Sequence, residues 1–545
     1  MGRAAGSPLD DALKALDEGR LQDAVRSARR TAEMDPTSLT ALRVLAMAQE
    51  RLGEVTDALA TYENALRLAP DDPDLLNGLG RLALELDLAP VAAGMARQSL
   101  AARPGDPEAV CLLGRALALE GRVQEAIRCL ADHLGAYPEQ AGVWNALGVL
   151  MSDTGDPVMA ETAFAEAIRL NPELVPALFN QANLLVTLGE TRRALDALLE
   201  IPETNLNARE RATLRFSRAC ARLQMGDLPG GWRDYEARND PGLSGAADFE
   251  APGRRWRPGD PLDELDLLLF GEQGLGDEVL FASLLPDLLK RTDRPARIHF
   301  AVEPRLVSLF QRSFPEVSVI AHSTVGTGGR KIRRIPASHN ATRVSAWTPI
   351  GDLLPVLRPD ITAFPGHNGF LIADPQRVLE WRDWLTRAPG GLRVGLLWKS
   401  GLLAGARGLS FAGFESWAPV LQAPGVTFVN LQYGDCAEEI AFARDHLGVE
   451  ILTPPGLDLK EDLEGVAALS CALDLVIGVA NASFNLAGAC GGRTWLVSGP
   501  DAWTVLGSGR YPWYPQVRLF PSARLGDWAD ILATVGRALA AEAGP

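Results

Sequence analysis

Cysteine is scarce in this chain. Six cysteines (Cys111, Cys129, Cys220, Cys436, Cys471, Cys490) are spread over 545 residues without a Cys-x-x-Cys pair. That excludes a disulfide framework and a thiolate zinc site, and predicts reduced thiols. Histidine is equally sparse, and His133, His299, His322, His339, His367 and His446 stand apart without ligand spacing. The only Asp-x-Asp, Asp72-Pro73-Asp74, falls at a predicted turn, so no metal site is expected. Long apolar runs are also missing. Met1 to Asp10 has no apolar signal core, and no stretch reaches the roughly 18 residues of a membrane span. A soluble, cytoplasmic protein is expected. Basic charge falls short too, with 53 Lys and Arg against 69 Asp and Glu, a net charge of −16. Such a surface repels nucleic-acid phosphates and anionic bilayers, so neither is an expected partner.

What the chain has in plenty is repetition. Pro36, Pro70, Pro104, Pro138 and Pro172 stand 34 residues apart. A glycine ladder runs in phase at Gly19, Gly53, Gly121, Gly155 and Gly189, with Asp87 in the gap. An alanine ladder follows at Ala24, Ala58, Ala92, Ala126, Ala160 and Ala194. The three together describe a helix pair: glycine for a turn with positive φ, alanine for close helix approach, proline to end the second helix. Apolar positions such as Leu42, Leu45, Ala46 and Gln49, or Trp144, Leu147, Gly148 and Met151, mark one face of each first helix. Period and pattern match the tetratricopeptide repeat. Six repeats over residues 5–208 and a looser seventh containing Gly226, Gly231 and Tyr235 predict a solenoid spanning 5–238. Stacked repeats form a concave groove suited to a protein partner. Asn77, Asn145, Asn180 and Asn183, on predicted first helices, are placed to bond a peptide backbone.

Composition changes near residue 230, since eleven of the twelve tryptophans follow it and all seven methionines precede it. Residues 239–261, with Pro252-Gly253-Arg254-Arg255-Trp256-Arg257-Pro258-Gly259, read as a linker. Beyond it, short apolar strands alternate with helical segments at Leu265–Phe270, Ile298–Val302, Val317–Ile320, Val394–Trp398, Thr427–Gln432, Leu475–Val479 and Thr494–Val497. That alternation predicts parallel α/β units. The series breaks at 330–390, which suggests two Rossmann-like domains, 262–385 and 391–530, meeting at a cleft.

In open α/β sheets the loops after the strands carry the ligand. The first is Gly271-Glu272-Gln273-Gly274-Leu275-Gly276-Asp277-Glu278. Asp277 falls where a helix begins, and serves there either as a cap favoured by the helix dipole or as a general base. With three acids and no Lys-Ser or Lys-Thr after the glycines, the loop is not a Walker phosphate cradle. Anion binding is instead expected in the second domain. Lys399, Ser400 and Arg407 follow one strand, and Asn481, Ser483 and Asn485 follow another at a helix start whose free amides suit a phosphate.

The runs Glu272-Gln273-Gly274-Leu275-Gly276-Asp277, Val394-Gly395-Leu396-Leu397-Trp398, Leu431-Gln432, Leu473-Asp474-Leu475-Val476-Ile477, Asn485-Leu486-Ala487-Gly488-Ala489 and Pro512-Trp513-Tyr514-Pro515 resemble bacterial tetratricopeptide-repeat glycosyltransferases. Their catalytic half is similar to the heptosyltransferases of GT-B fold. The layout is closest to the flagellin glycosyltransferases of alphaproteobacteria. The resemblance implies a metal-independent enzyme without a resident cofactor, transferring a nonulosonic sugar from a CMP donor to Ser or Thr of flagellin held by the repeats. It implies that Asp277 is the base, that Lys399 contacts donor phosphate, and that Glu272, Gln273, Gly274 and Gly276 form the acceptor-side loop. One stretch departs from the pattern. Asp-Thr-x-x-x-His-Leu-Ala of the heptosyltransferases reads Ala480-Asn481-Ala482-Ser483-Phe484-Asn485-Leu486-Ala487 here, which argues against a heptose donor. Two alternatives stand beside this reading: a non-catalytic scaffold for flagellar or envelope assembly, and a UDP-GlcNAc-dependent protein glycosyltransferase.

Overall fold

A computed structural model describes residues 7–243, 245–262, 265–327, 330–336, 344–366, 368–400, 411–500, 502–524 and 526–544. Contacts divide the chain into two compact units, Met1–Leu184 and Leu185–Pro545.

The first unit is a stack of helix pairs: Pro8–Asp17 with Leu21–Met34, Leu39–Leu52 with Val55–Leu68, Pro73–Glu85 with Ala89–Ala102, Pro107–Leu119 with Val123–Ala136, and Ala141–Asp153 with Pro157–Leu170. Each ladder has a physical counterpart. Gly19, Gly53, Gly121 and Gly155 turn between paired helices at φ of 71, 77, 77 and 80°. Asp87 takes the same left-handed conformation at φ 58° without being glycine. Ala24, Ala58, Ala92, Ala126 and Ala160 are all 0% exposed, so a larger side chain there would push the pair apart. The residues before the ladder prolines, Asp35, Ala69, Arg103, Tyr137 and Asn171, all leave the helical region with φ between −131 and −140°. The proline ring disfavours α geometry in its predecessor, which is what stops each second helix.

The expected solenoid end at 238 and linker at 239–261 differ from what is observed. The compact division falls at Leu184, and helices Thr191–Glu200, Ala208–Gln224 and Leu228–Tyr235 belong to the second unit. Leu228, Trp232 and Tyr235 share one core with Leu269, Phe281 and Trp513, which explains the boundary. The 239–261 stretch carries two short strands, β1 (Ala247–Glu250) and β2 (Arg254–Arg255), and buries Trp256. Its Pro and Gly residues shorten the strands without preventing pairing.

The remaining strands are β3 (Leu267–Phe270), β4 (Ile298–Val302), β5 (Ser318–Ala321), β6 (Ser323–Thr327), β7 (Arg330–Arg334), β8 (Ala346–Pro349), β9 (Leu392–Leu397), β10 (Val426–Asn430), β11 (Ile451–Leu452), β12 (Leu475–Gly478), β13 (Thr494–Ser498) and β14 (Val517–Pro521). They build a five-stranded sheet β2-β8-β3-β4-β5, a six-stranded sheet β11-β10-β9-β12-β13-β14, and a three-stranded sheet β1-β7-β6. Every pairing in the two larger sheets is parallel. In the small sheet β6 runs antiparallel to β7. β3, Leu-Leu-Leu-Phe, is 0% exposed throughout, as a central parallel strand covered on both faces requires. The second unit is thus an α/β structure with parallel sheets.

Candidate functional site

Each large sheet has one place where the strand order reverses. In the six-stranded sheet β9 is followed in sequence by β10 on one side and later by β12 on the other, the 3-2-1-4-5-6 order of a doubly wound fold. In the five-stranded sheet β3 is followed by β4 on one side and β8 on the other. Crevices open at the carboxyl ends of such strands. The candidate residues follow three of these strands: the 271–278 loop after β3, Lys399 and Ser400 after β9, and Asn481, Ser483 and Asn485 after β12.

The β3 loop is anchored by its acids. Glu272 is 1% exposed and accepts from Arg238 Nε at 2.7 Å, Arg238 Nη2 at 3.0 Å and Gly351 N at 2.5 Å. Arg238 continues to Asp352 Oδ1 at 2.7 Å, and Asp352 Oδ2 accepts from Arg255 at 2.8 Å and Thr348 at 2.9 Å. Glu278 is buried and accepts from His322 Nε2 at 2.9 Å, Arg333 Nη1 at 3.0 Å and Glu303 N at 2.8 Å. Arg333 also donates to the Gly271 and Gln273 carbonyls, the latter at 2.7 Å. Charged groups so enclosed persist only when every lone pair is matched. Two of the loop's three acids are therefore structural.

Asp277 differs. It is half-buried, and its Oδ2 accepts from Gly274 N at 3.1 Å, closing the start of the helix Leu275–Phe281. Gln273 takes φ 61° and, like Gly274, is exposed at the loop's outer edge. Three buried tyrosines sense the Asp277 charge. Burial raises the Tyr235, Tyr511 and Tyr514 hydroxyls first, and Asp277 pushes each further upward.

The Leu275 helix meets the helix Ala482–Ala489, which follows β12 of the other large sheet. Asn485 Nδ2 donates to Gly276 O at 3.0 Å. A Cβ on Gly276 would lie 3.3 Å from Asn485 Nδ2 and 3.4 Å from Ala482 N, so the two helix starts approach closely here. Asn481 caps the Ala482 helix by accepting from Phe484 N at 3.0 Å, and reaches Lys399 O at 3.4 Å. Ser483 is 1% exposed behind it, and Ser400 is half-buried. Arg407 lies outside the described residues.

Lys399 is not a lone cation. Its Nζ donates to Asp435 O at 2.9 Å and is ion-paired with Glu439. Glu439 was invisible to a reading of single loops, since it is 40 residues away. Gln432 Oε1 accepts from Trp398 N at 3.0 Å and Lys399 N at 2.9 Å, fixing the β9 exit. Beside this, a cavity of about 570 Å³ opens at the carboxyl ends of β10 and β11, lined among others by Gln432, Tyr433, Asp435, Thr453 and Leu457. Its sequence signal is slight: a Gln-Tyr-Gly turn directly after an apolar strand.

In the first unit the asparagines divide. Asn180 Nδ2 donates to Asn145 Oδ1 at 2.9 Å, linking successive first helices. Asn77 is 1% exposed and donates to Asp106 at 3.1 Å, so it serves the interior and not a bound peptide. Asn183 is exposed. Among the described residues, no helix is long and apolar enough to cross a membrane.

Residues 9–73 and 77–141 match the tetratricopeptide repeat family. A tetratricopeptide repeat protein of Parabacteroides merdae is 19% identical, with 43% of this chain and 92% of that one covered and a TM-score of 0.35. A thermophilic repeat protein of Thermus thermophilus is 21% identical, with 33% and 97% covered and a TM-score of 0.30. Similarity to Protein FlbA of Caulobacter vibrioides extends much further, at 43% identity over 529 residues, covering 96% of this chain and 89% of that protein. Identity of that extent shows the family: the chain is a tetratricopeptide-repeat protein of the FlbA family.

Proposed function

We propose that the chain is a protein O-glycosyltransferase of GT-B type, in which the two reversal points of the parallel sheets form a single reaction cleft. The observation that carries this reading is the contact between Gly276 and Asn485, which sets Asp277 of one sheet beside the Ala482 helix of the other. The nucleotide sugar occupies the second sheet, its base in the cavity at the ends of β10 and β11 and its phosphate near Lys399 and Asn481. Asp277 is the one acid of the loop with solvent access, and it accepts the proton of a Ser or Thr hydroxyl. The hydroxyl oxygen bonds to the anomeric carbon while the bond from that carbon to the phosphate oxygen breaks. Charge on the departing nucleotide grows as it leaves, so Lys399 and the amides at the Ala482 helix start stabilise the transition state more than the ground state. From the family resemblance, the donor is a CMP-linked nonulosonic sugar and the acceptor is flagellin, held by the repeats.

The pairing of Lys399 with Glu439 favours a second reading, a scaffold whose catalytic half is silent, because the carboxylate opposes the positive charge offered to phosphate. A single experiment separates the two. The purified chain is incubated with flagellin and CMP- or UDP-linked sugars, and the intact mass of the acceptor is measured. A mass increase by one sugar with the CMP donor supports the proposal. An increase only with UDP-GlcNAc reassigns the donor. An unchanged mass with every donor moves the scaffold reading ahead.

A further inference from the structure

A second large cavity, of about 600 Å³, opens at the edge of the five-stranded sheet, away from the one at β10 and β11. Its size is that of a site able to bury a small ligand or a short peptide segment. Residues 256–258 follow β2 and residues 351–355 follow β8, so both lining segments leave the carboxyl ends of adjacent strands. The helix Leu228–Tyr235 and the short 3-10 helix Glu236–Asn239 form the other side, with Arg215 of the helix Ala208–Gln224 beside them. Trp232, Tyr235 and Leu354 supply buried apolar wall.

The charges around the cavity are uneven. Four arginines (Arg215, Arg238, Arg255, Arg257) face three acids (Glu236, Asp240, Asp352), in a chain whose net charge is −16. Several of these groups are already committed inside the protein. Arg238 is held by Glu272 and Asp352, Arg255 donates to Asp352 at 2.8 Å, and Asp240 accepts from Gly242 N at 2.8 Å. Arg257 commits its backbone amide, which donates to Asp260 at 2.9 Å. Among the described residues, the exposed guanidiniums of Arg215 and Arg257 are in no ion pair, and only the unpaired Glu236 stands against them. An arginine left in this state offers a planar fork of donors that matches a carboxylate.

We propose that this cavity binds an acidic segment of a protein partner, with an apolar side chain inside and flanking carboxylates on Arg215 and Arg257. The two cations stand on different elements, so they call for acids spaced along a chain, which a peptide supplies. The apolar wall accounts for the side chain between those acids. A polyanion such as nucleic acid is disfavoured by the charge of the whole protein, whereas a short acidic segment answers the local field alone. Arg238 both lines the cavity and holds Glu272, so the bound segment lies next to the 271–278 loop. The proposal does not depend on sugar transfer, since binding alone is at issue.

The test uses the full-length chain and a fluorescein-labelled peptide, Gly-Glu-Phe-Glu-Gly, with Gly-Gln-Phe-Gln-Gly as its neutral counterpart. Fluorescence anisotropy is expected to show the acidic peptide binding and the neutral one binding at least about tenfold more weakly. The doubly substituted chain, Arg215→Ala with Arg257→Ala, should melt like the wild type and lose the preference for the acidic peptide. A second readout needs no variant. Phenylglyoxal modifies free arginines, and mass mapping of the wild type should show Arg215 and Arg257 protected by the acidic peptide. Arg29 and Arg30, equally exposed in the first unit, should react at the same rate with and without it. Equal affinity for the two peptides, or no binding of either, overturns the proposal. Binding that leaves Arg215 and Arg257 unprotected overturns it as well.

Discussion

At the scale of single residues, the 271–278 loop separates two structural acids from the one proposed as the base. Glu272→Gln removes a charge from a closed network with Arg238 and Asp352, and breaking such a pair costs about 3–5 kcal/mol. Asp277→Asn leaves an amide oxygen that still accepts from Gly274 N, so stability should change by only a few tenths of a kcal/mol. Transfer in Asp277→Asn should nevertheless fall about 10²-fold or more, since an amide cannot take the proton. Paired melting curves and transfer rates check both statements, and a full-speed Asp277→Asn enzyme would return the residue to capping alone. Lys399 and Glu439 should act in opposite directions on donor binding. Lys399→Ala loses a charge-assisted contact and weakens it, whereas Glu439→Gln releases the ammonium and tightens it. Calorimetric titration with CMP reads both signs, and equal effects in the two variants would remove Lys399 from the phosphate site.

The pH behaviour of Asp352 belongs to this scale too. Burial pushes its carboxyl up, but the Arg238 and Arg255 guanidiniums outweigh burial and hold it below the usual aspartate range. A carboxyl depressed in the native state stabilises the fold fully above its unfolded pKa of about 3.9, and that contribution is lost as pH falls through the native value. Asp352→Asn should therefore cost about 3–5 kcal/mol at neutral pH and flatten the acid limb of the stability profile below about pH 4. Urea titrations across that range compare the two proteins. A variant with the wild-type acid limb would assign that limb to other carboxylates.

At the scale of elements, the helix turns of the first unit offer a matched pair of substitutions. Asp87 holds a left-handed conformation that five neighbouring rungs give to glycine, so Asp87→Gly should stabilise the fold by a few tenths of a kcal/mol. Gly121→Ala places a Cβ in the same conformation and should cost about 1–2 kcal/mol, although nothing crowds the site. Chemical denaturation of the two variants should move in opposite directions. These rungs also show why the repeats were legible in the sequence. Glycine, alanine and proline each answer one local steric demand, and the demand recurs every 34 residues.

The strands were less evenly legible. β3, β12 and Val394–Leu397 of β9 are central and buried, so each is a plain apolar run. β8 reads Ala-Trp-Thr-Pro and β2 is a pair of arginines, and their pairing comes from partners some 90 residues apart in sequence. No local pattern carries that. Lys399, Asn481 and Asp277 stand out in the sequence because they follow strong strands. Glu439 and Arg238 were missed because their partners lie 40 and 34 residues distant.

At the scale of the whole molecule, the boundary at Leu184 decides what can be cut. Residues 7–170 contain five complete helix pairs, and nearest-neighbour stacking is enough to fold them. Extending the fragment to 230 adds Ala219, Leu223 and Leu228, which are 0–2% exposed in the intact chain because a β-sheet core covers them. The shorter fragment should be helical and monomeric. The longer one should bind a hydrophobic dye and associate. Sedimentation and dye fluorescence compare them, and equal behaviour would place the boundary later than Leu184.

The same two units also differ in how far the chain must travel to fold. Inside the repeats each helix packs on its immediate neighbours, so little loop entropy is spent before contacts form. In the second unit β9 must wait for β12 some 80 residues later, and β1 for β7 over a similar span. On the ribosome the repeats therefore emerge first and can close up pair by pair, while β3 and β9 each lack one of their two neighbours until β8 and β12 have been made. For a time the nascent protein has a finished docking surface and no cleft. On the proposed function, a protein partner meets the finished repeats before the half proposed to modify it exists.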